Sequence, residues 1–140
     1  MQSIKRKIQI VYERVNRLEE ISKKIPSFPY YQSNQFYKDI TERNVHIAIE
    51  ACLDIARIII SKEKLEEPSD YKGLFLSIAQ AGIVDPEMLD FLIPMAGTRN
   101  ILVHSYDKID DSIIYGILKK QLSNIMNFMD VIKSNYLNKV

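Results

Sequence analysis

The run AIEACLDIARIII, residues 48–60, decides the fold of this chain. Its apolar side chains recur every three or four residues, which is the spacing of a helix and not the alternation of a strand. They form two adjacent stripes, one of Ala48, Cys52, Ile55 and Ile59 and the other of Ile49, Leu53, Ala56 and Ile60. A helix that is apolar on two sides is covered by neighbours on both. We therefore expect residues 34–62 to form the central helix of a helical bundle.

The segment before this central helix has the pattern of a second long helix. Residues 2–24 carry a narrow apolar stripe with spacings of three and four. Pro26 and Pro29 follow, and the residue before a proline avoids the helical conformation. The sequence therefore predicts a helix over 2–24 and a loop over 26–34.

The segments after the central helix predict shorter helices and one more long one. A polar linker over 63–70 precedes a third helix over 70–81, with Ser69 or Asp70 as its cap. Asp85-Pro86-Glu87 has the composition of a helix start. We expect the short helix that follows to end at Pro94 and a separate short helix to carry Arg99.

A final apolar stripe predicts the last long helix over residues 111–137. No segment alternates as a strand would. The expected fold class is therefore all-α, an antiparallel bundle of four long helices plus short helices, in a single domain over residues 1–140.

Composition sets the class of protein and its compartment. A chain of 140 residues with 46% hydrophobic and 26% charged residues suits one soluble core. The lone cysteine, Cys52, cannot form an internal disulfide and lies in an apolar run, so we interpret it as a core residue of a protein from a reducing compartment. No apolar run is long enough for a membrane span, and the N-terminus has no secretory pattern. We expect a cytoplasmic protein that does not bind membranes.

Charge is unevenly distributed along the chain. Residues 1–24 contain seven basic and three acidic residues, whereas residues 85–111 contain two basic and six acidic ones. The net charge of +1 argues against a protein that coats nucleic acid over its whole surface. The basic first helix either attracts RNA phosphate or an acidic partner, or is a solvated face.

The stretch RNILVHSY, residues 99–106, is the candidate site. Arg99 can hold a phosphate through its fork of donors, and His104 can transfer a proton near neutral pH. Asn100 shares a helical face with His104, whereas Arg99 and His104 lie about 140° apart on an ideal helix. The pair converges only because arginine is long or because a second copy completes the site. The alternative is a capping arginine and a hydrogen-bonded core histidine.

Two residues of the central helix are candidates to support that site. His46 and Glu50 are four residues apart and therefore share a face. Glu50 is either an acid placed beside the catalytic residues or the partner of His46 in a hydrogen bond on the helix surface.

The pattern Arg-x4-His-x-Tyr, here Arg99, His104 and Tyr106, resembles the signature of the HEPN superfamily, and in particular of its HepT toxin branch. The resemblance extends through MAG-x-RN-x-LVH-x-Y, through ER…AIEACLDIA…II from Glu42 to Ile60, and through YKGLFLSIAQAGIV from Tyr71 to Val84. It covers nearly the whole chain, although the first and last helices match only in pattern. Thr98 departs from the aromatic residue that members often have there.

The resemblance implies a fold, an activity and a set of roles. The fold would be a HEPN-like helical bundle, and the active form a homodimer in which Arg99 and His104 of both subunits line one cleft. The activity would be endoribonuclease cleavage that needs no metal and no cofactor. His104 would be the general acid or base, Arg99 would stabilise the charge of the phosphorane, and Asn100 would orient the phosphate or the imidazole. Attack by the ribose 2′-hydroxyl would leave DNA uncut.

The resemblance also implies a partner, a minimal nucleotidyltransferase antitoxin in a type VII-like toxin–antitoxin pair. That partner would attach AMP from ATP to Tyr106, and the added phosphate would occupy the place of RNA beside Arg99. The toxin is expected as a homodimer that can assemble further with the antitoxin. For Tyr106 alone, the alternative is an interface tyrosine that shares a hydrogen bond.

Two other functions are compatible with the sequence. The cleft of a non-catalytic module would bind a nucleotide or dock the nucleotidyltransferase without cutting RNA. A purely structural helical subunit would leave the polar residues of the motif unexplained.

Overall fold

A computed structural model describes residues 2–137 of the protein. The chain folds into helices α1 (Gln2–Lys23), α2 (Phe28–Ser33), α3 (Gln35–Lys62), α4 (Tyr71–Gln80), α5 (Leu89–His104), α6 (Asp111–Gly116) and α7 (Leu122–Tyr136). Between α6 and α7 lies a π-helical segment, Ile117–Gln121, and short 3₁₀ turns occur at Pro86–Met88 and Tyr106–Lys108. Residues 2–137 contain no strand. The prediction of an all-α fold is confirmed.

Side-chain contacts along α3 fix the direction of its two neighbours. Lys7 pairs with Asp54 at 2.9 Å, and Arg14 reaches Asn44, so α1 runs antiparallel to α3. Arg99 contacts Glu50 near the end of α5, and the tyrosine that follows α5 contacts an earlier turn of α3. α5 is therefore also antiparallel to α3, and the end of α5 lies beside the first half of α3.

The last long element runs alongside α3 and antiparallel to α1. Lys119 Nζ donates to the carbonyls of Ser22 and Ile25 at 2.7 and 2.6 Å, at the end of α1. Tyr136 donates to Glu63 at 3.0 Å, just after α3 ends. Lys119 belongs to the π-helical segment, so the sequence-based prediction of one uninterrupted helix over 111–137 was wrong in this detail.

The core contains the residues that the periodicity of α3 predicted. Both apolar stripes of α3 are buried, and Cys52 is fully buried among them. Burial raises the pKa of the Cys52 thiol to about 12, which makes it unreactive as a nucleophile. Phe75 and Phe128 meet edge to face with ring centroids 6.0 Å apart, and this contact joins α4 to α7.

Two predicted boundaries differ from the structure. α5 continues through Pro94 to His104, so the motif does not lie on a separate short helix. Pro94 is exposed and lies near the start of α5, where burial of Leu92, Met95 and Ala96 on either side offsets the missing hydrogen bond. The predicted loop over 26–34 contains α2, whose N-cap Ser27 accepts from the backbone of Tyr30 at 3.3 Å.

A tight cap sets the start of α4. Of the two predicted candidates, Asp70 is the N-cap, and its side chain accepts from the Gly73 N–H at 2.7 Å. A Cβ on Gly73 would lie 2.6 Å from Pro68 Cβ, so only glycine fits without movement of the linker. The cap and this close contact fix the position of Tyr71, the first residue of α4.

None of the helices within residues 2–137 is both long enough and apolar enough to cross a membrane.

Candidate active site

Arg99 is the centre of the candidate site. It lies in the last two turns of α5 and is only 9% exposed. Its Nε donates to Oε1 of Glu50 on α3, and its Nη1 donates to the Asn100 side chain at 3.2 Å. The hydrogen bonds of the described residues leave Nη2 without a protein partner. The guanidinium is thus held on two sides and keeps a donor for an anion.

The ring of Tyr71 fixes Arg99 from a further side. The Arg99 Cζ lies 4.1 Å from the centroid of this ring, the geometry of a cation–π contact. Arg57 Cζ is 5.8 Å from the same ring, and Arg57 itself pairs with Asp54 at 2.9 Å. Helices α3, α4 and α5 therefore all contribute to the position of one guanidinium.

His46 joins the same group through Glu50. Its Nε2 lies 3.4 Å from Glu50 Oε1, the oxygen that also accepts from Arg99. Glu50 thus lies within ion-pair distance of His46 on its own helix, without a hydrogen bond to it, and accepts a hydrogen bond from Arg99 on another helix. The structure brings together Arg99, Asn100, Glu50 and His46.

Tyr106 lies apart from this group and has its own acidic partner. It follows α5 in the 3₁₀ turn Tyr106–Lys108 and is 61% exposed, and its hydroxyl donates to Glu42 Oε1 at 3.0 Å. Glu42 is only 7% exposed, and this burial raises the pKa of its carboxyl group although the bond from Tyr106 opposes the shift. The same hydrogen bond raises the pKa of the Tyr106 hydroxyl. The exposed ring therefore has a fixed hydroxyl that stays protonated at neutral pH.

His104 is the last residue of α5 and is exposed. Within residues 2–137 it forms no side-chain hydrogen bond or ion pair. Within these residues it forms no hydrogen bond with Arg99, in keeping with their separation of about 140° on an ideal helix. The alternative of a hydrogen-bonded core histidine is therefore wrong, and the imidazole is available to a ligand or a second subunit.

Two residues of the site were missed at the sequence level, Tyr71 and Glu42. Glu42 had a signal, because Glu42, His46, Glu50 and Asp54 recur every four residues and form one polar stripe on a largely buried helix. Tyr71 had none, because its contact with Arg99 depends on how α4 packs against α5.

Chemically, the arrangement offers an oriented cation and a separate exposed imidazole. A guanidinium fixed before the reaction stabilises charge that develops on a phosphate. An exposed imidazole can accept or donate a proton near neutral pH.

Comparison with known proteins places the chain in a family. The family model "Ribonuclease HepT-like" matches residues 11–132. The chain is 29% identical over 130 residues to the mRNA nuclease HepT of Shewanella oneidensis, a match that covers 89% of this chain and 97% of that protein. It is 34% identical over 76 residues to the tRNA nuclease HepT of Aphanizomenon flos-aquae, which covers 54% of this chain and 52% of that protein.

The fold of the chain also matches that of a solved structure. The tri-AMPylated Shewanella oneidensis HEPN toxin, solved in complex with an MNT antitoxin, superposes with a TM-score of 0.87 at 26% identity. The match covers 96% of this chain and 98% of that one. The chain belongs to the HepT-like ribonuclease family of HEPN toxins, and its enzymatic class is endoribonuclease.

Proposed function

We propose that the protein is the toxin of a toxin–antitoxin pair and cleaves RNA through Arg99 and His104 without a metal ion. The proposal rests on the way in which the Arg99 guanidinium is held. Arg99 is buried and held by Glu50 and Tyr71, and no residue that the structure describes bonds its Nη2. Such a guanidinium is oriented in advance to bind a phosphate.

Cleavage needs one proton removed and one proton supplied. The ribose 2′-oxygen attacks phosphorus as its proton leaves, the bond from phosphorus to the 5′-oxygen breaks, and that oxygen takes up a proton. The products are a 2′,3′-cyclic phosphate and a free 5′-hydroxyl. His104 serves as the general base or acid in this step, Arg99 stabilises the charge of the phosphorane, and Asn100 orients the phosphate or the imidazole. A substrate without a 2′-hydroxyl is not cut.

A homodimer completes the site. Because Arg99 points into the protein toward α3 and His104 lies exposed at the end of α5, one subunit does not bring the two side chains together. Two copies that face each other through the ends of α5 place Arg99 of one subunit near His104 of its partner. The partner copy thus supplies part of each catalytic pair.

Tyr106 is the residue on which the antitoxin acts. Its hydroxyl is the acceptor for AMP, transferred from ATP by a minimal nucleotidyltransferase. Exposure of 61% makes the ring accessible, and the bond to Glu42 fixes the hydroxyl. AMP at this position adds a phosphate and a nucleoside in the path of RNA. The supporting comparison is the tri-AMPylated toxin of Shewanella oneidensis.

The test of catalysis is cleavage of a labelled RNA by His104→Ala, with Lys108→Ala as the control. Both side chains are exposed and lie close in sequence, so neither substitution disturbs the core. We expect the alanine at position 104 to abolish cleavage and to keep the dimer, and the control to cleave as wild type. Full cleavage by His104→Ala would refute its role. A folded dimer of wild type that binds nucleotide tightly and never cuts RNA would favour the docking module instead.

The test of the shared site is complementation between two inactive proteins. Arg99→Ala and His104→Ala dimers are mixed, allowed to exchange subunits, and assayed for cleavage. If the pair forms across the interface, each mixed dimer contains one intact pair and activity returns. If each subunit works alone, the mixture stays inactive, which would contradict the shared site.

A further inference from the structure

Three arginines with no acidic partner meet in the groove between α1 and α3. Arg14 and Arg17 lie one turn apart on α1, and Arg43 lies on α3 beside Asn44, the residue that Arg14 contacts. Arg17 and Arg43 are exposed, and Arg14 is half-buried. Within residues 2–137 none of the three forms an ion pair. We call Arg14, Arg17 and Arg43 the arginine cluster.

The contacts of Arg14 hold this cluster in place. Its Nη1 donates to Asn44 Oδ1 at 3.2 Å, and Asn44 is itself fixed because its Nδ2 donates to the Ile40 carbonyl at 2.7 Å. The Nε of Arg14 is buried and forms no hydrogen bond with any residue that the structure describes. A buried donor without an acceptor costs free energy, so the hydrogen bonds of Arg14 do not by themselves explain its position.

The charges of the cluster act on one another. Burial lowers the pKa of Arg14, and the neighbouring charges of Arg17 and Arg43 lower it further, while Glu13 opposes them. Like charges held close together without counter-ions are a common feature of anion sites. The cluster therefore favours a bound anion, and a phosphate matches the fork of an arginine.

The position of the cluster relates it to the candidate active site. Arg43 follows Glu42, the residue that binds Tyr106, and precedes Glu50 by seven residues. On an ideal helix, seven residues are about two turns, so Arg43 and Glu50 share a face of α3 about 10 Å apart. A chain of RNA that passes Arg99 can thus reach the cluster within a few nucleotides.

We propose that the arginine cluster binds a backbone phosphodiester of the RNA substrate, a few nucleotides from the bond that is cut. This inference rests on the proposed ribonuclease function. The cluster contacts phosphate and no base, so it contributes affinity without sequence preference. Its role is to position RNA across α3.

The experiment measures binding of a short fluorescein-labelled single-stranded RNA by fluorescence anisotropy as a function of salt. All proteins carry His104→Ala so that the probe is not cut, and intact mass confirms that they are unmodified. The test variant adds Arg17→Ala and Arg43→Ala. The control adds Lys5→Ala and Lys62→Ala, which remove the same charge from exposed positions near the start of α1 and the end of α3. Arg14 is kept because it also bonds Asn44.

We expect the test variant to bind RNA more weakly, and its affinity to depend less steeply on salt concentration. For single-stranded nucleic acid the slope of log K against log salt is about 0.7 per neutralised phosphate, so loss of the one phosphate that the cluster binds reduces its magnitude by about 0.7. The lysine control should keep the wild-type slope. An unchanged slope in the test variant, or an equal loss in the control, would overturn the proposal.

Kinetics separate this inference from the proposed function. In protein that retains His104, Arg17→Ala with Arg43→Ala should raise KM and leave kcat unchanged, because the cluster binds away from the reacting atoms. A fall in kcat at constant KM would overturn the phosphate site. If the intact protein binds RNA through the cluster and never cleaves it, the proposed function fails and the phosphate site stands. RNA affinity that stays unchanged while association with the nucleotidyltransferase is lost would assign the cluster to the protein partner and refute its role with RNA.

Discussion

Replacing Tyr71 by leucine should impair RNA cleavage although Tyr71 lies on a different helix from the motif. Its ring lies 4.1 Å from the Arg99 Cζ and covers one side of the guanidinium. Leucine keeps an apolar side chain at this position but removes the negative face of the ring that attracts the cation. Arg99 then keeps Glu50 and Asn100 but gains freedom on the uncovered side.

The magnitude follows from the burial of Arg99. A cation–π contact contributes about 0.5–1 kcal/mol at exposed sites and about 2 kcal/mol when the cation is desolvated. Because Arg99 is 9% exposed, we expect a loss near the upper part of that range, about 1–2 kcal/mol. If the whole loss is felt in the transition state, kcat/KM falls roughly 5- to 30-fold.

The assay is steady-state cleavage of a labelled RNA by wild type, Tyr71→Leu and Tyr71→Phe. Phenylalanine is the matched control because it keeps the ring, and the Tyr71 hydroxyl forms no hydrogen bond within the described part of the chain. We expect Tyr71→Phe to cleave at close to the wild-type rate. Urea unfolding of all three proteins reports whether the loss of activity exceeds what unfolding explains.

Two results would refute this reasoning. Wild-type kcat/KM in Tyr71→Leu would mean that Glu50 and Asn100 are sufficient to orient Arg99. An equal loss of activity in Tyr71→Phe would mean that the hydroxyl acts, and not the ring face.

Three other substitutions test the structure. Glu42→Gln should be more stable than wild type at neutral pH and equally stable in acid. Burial raises the pKa of Glu42, so the wild-type fold loses stability as the carboxyl group ionises with rising pH. Urea unfolding across a pH series would measure the difference in stability, and a difference that does not change with pH would contradict the prediction. Gly73→Ala should destabilise the fold by about 1–3 kcal/mol, because its Cβ would lie 2.6 Å from Pro68 Cβ. Gly116→Ala, with nothing within 4 Å, is its control and should stabilise by about 0.4–1 kcal/mol in the same thermal melts.

The sequence predicted most of the fold because the signals for helices are local. The stripes of α1 and α3 follow from spacing alone, and the Asp70 cap follows from residue type. The continuation of α5 through Pro94 was not predictable, because it depends on packing on both sides of the proline. The spacing of apolar residues likewise did not indicate the π-helical turn at Ile117–Gln121. The single-domain assignment stays a prediction.

The site was predicted only where its residues are close in sequence or share a helix. Arg99, Asn100 and His104 lie within one motif, and His46 and Glu50 are one turn apart. The contact between Arg99 and Glu50 joins residues 49 positions apart, and from the sequence a place for Glu50 beside the site was only one of two alternatives. Glu42 and Tyr71 act through the packing of separate helices, which spacing along the chain does not encode. The catalytic roles of Arg99, His104 and Asn100 and the modification of Tyr106 stay predictions.

The distribution of buried polar groups locates the site without reference to any relative. Among residues 2–137, the polar side chains that are buried are Thr41, Glu42, Asn44, Thr98 and Arg99. All lie in the first half of α3 or the second half of α5, which face each other. Burying a charge is costly even when it is paired, and apolar residues of similar volume would be as stable or more so. Stability therefore does not explain why a fold with an otherwise apolar core keeps Glu42 and Arg99 there. The proposed function accounts for both groups, since Arg99 is the proposed ligand of the RNA phosphate and Glu42 holds the hydroxyl of Tyr106, the proposed acceptor of AMP.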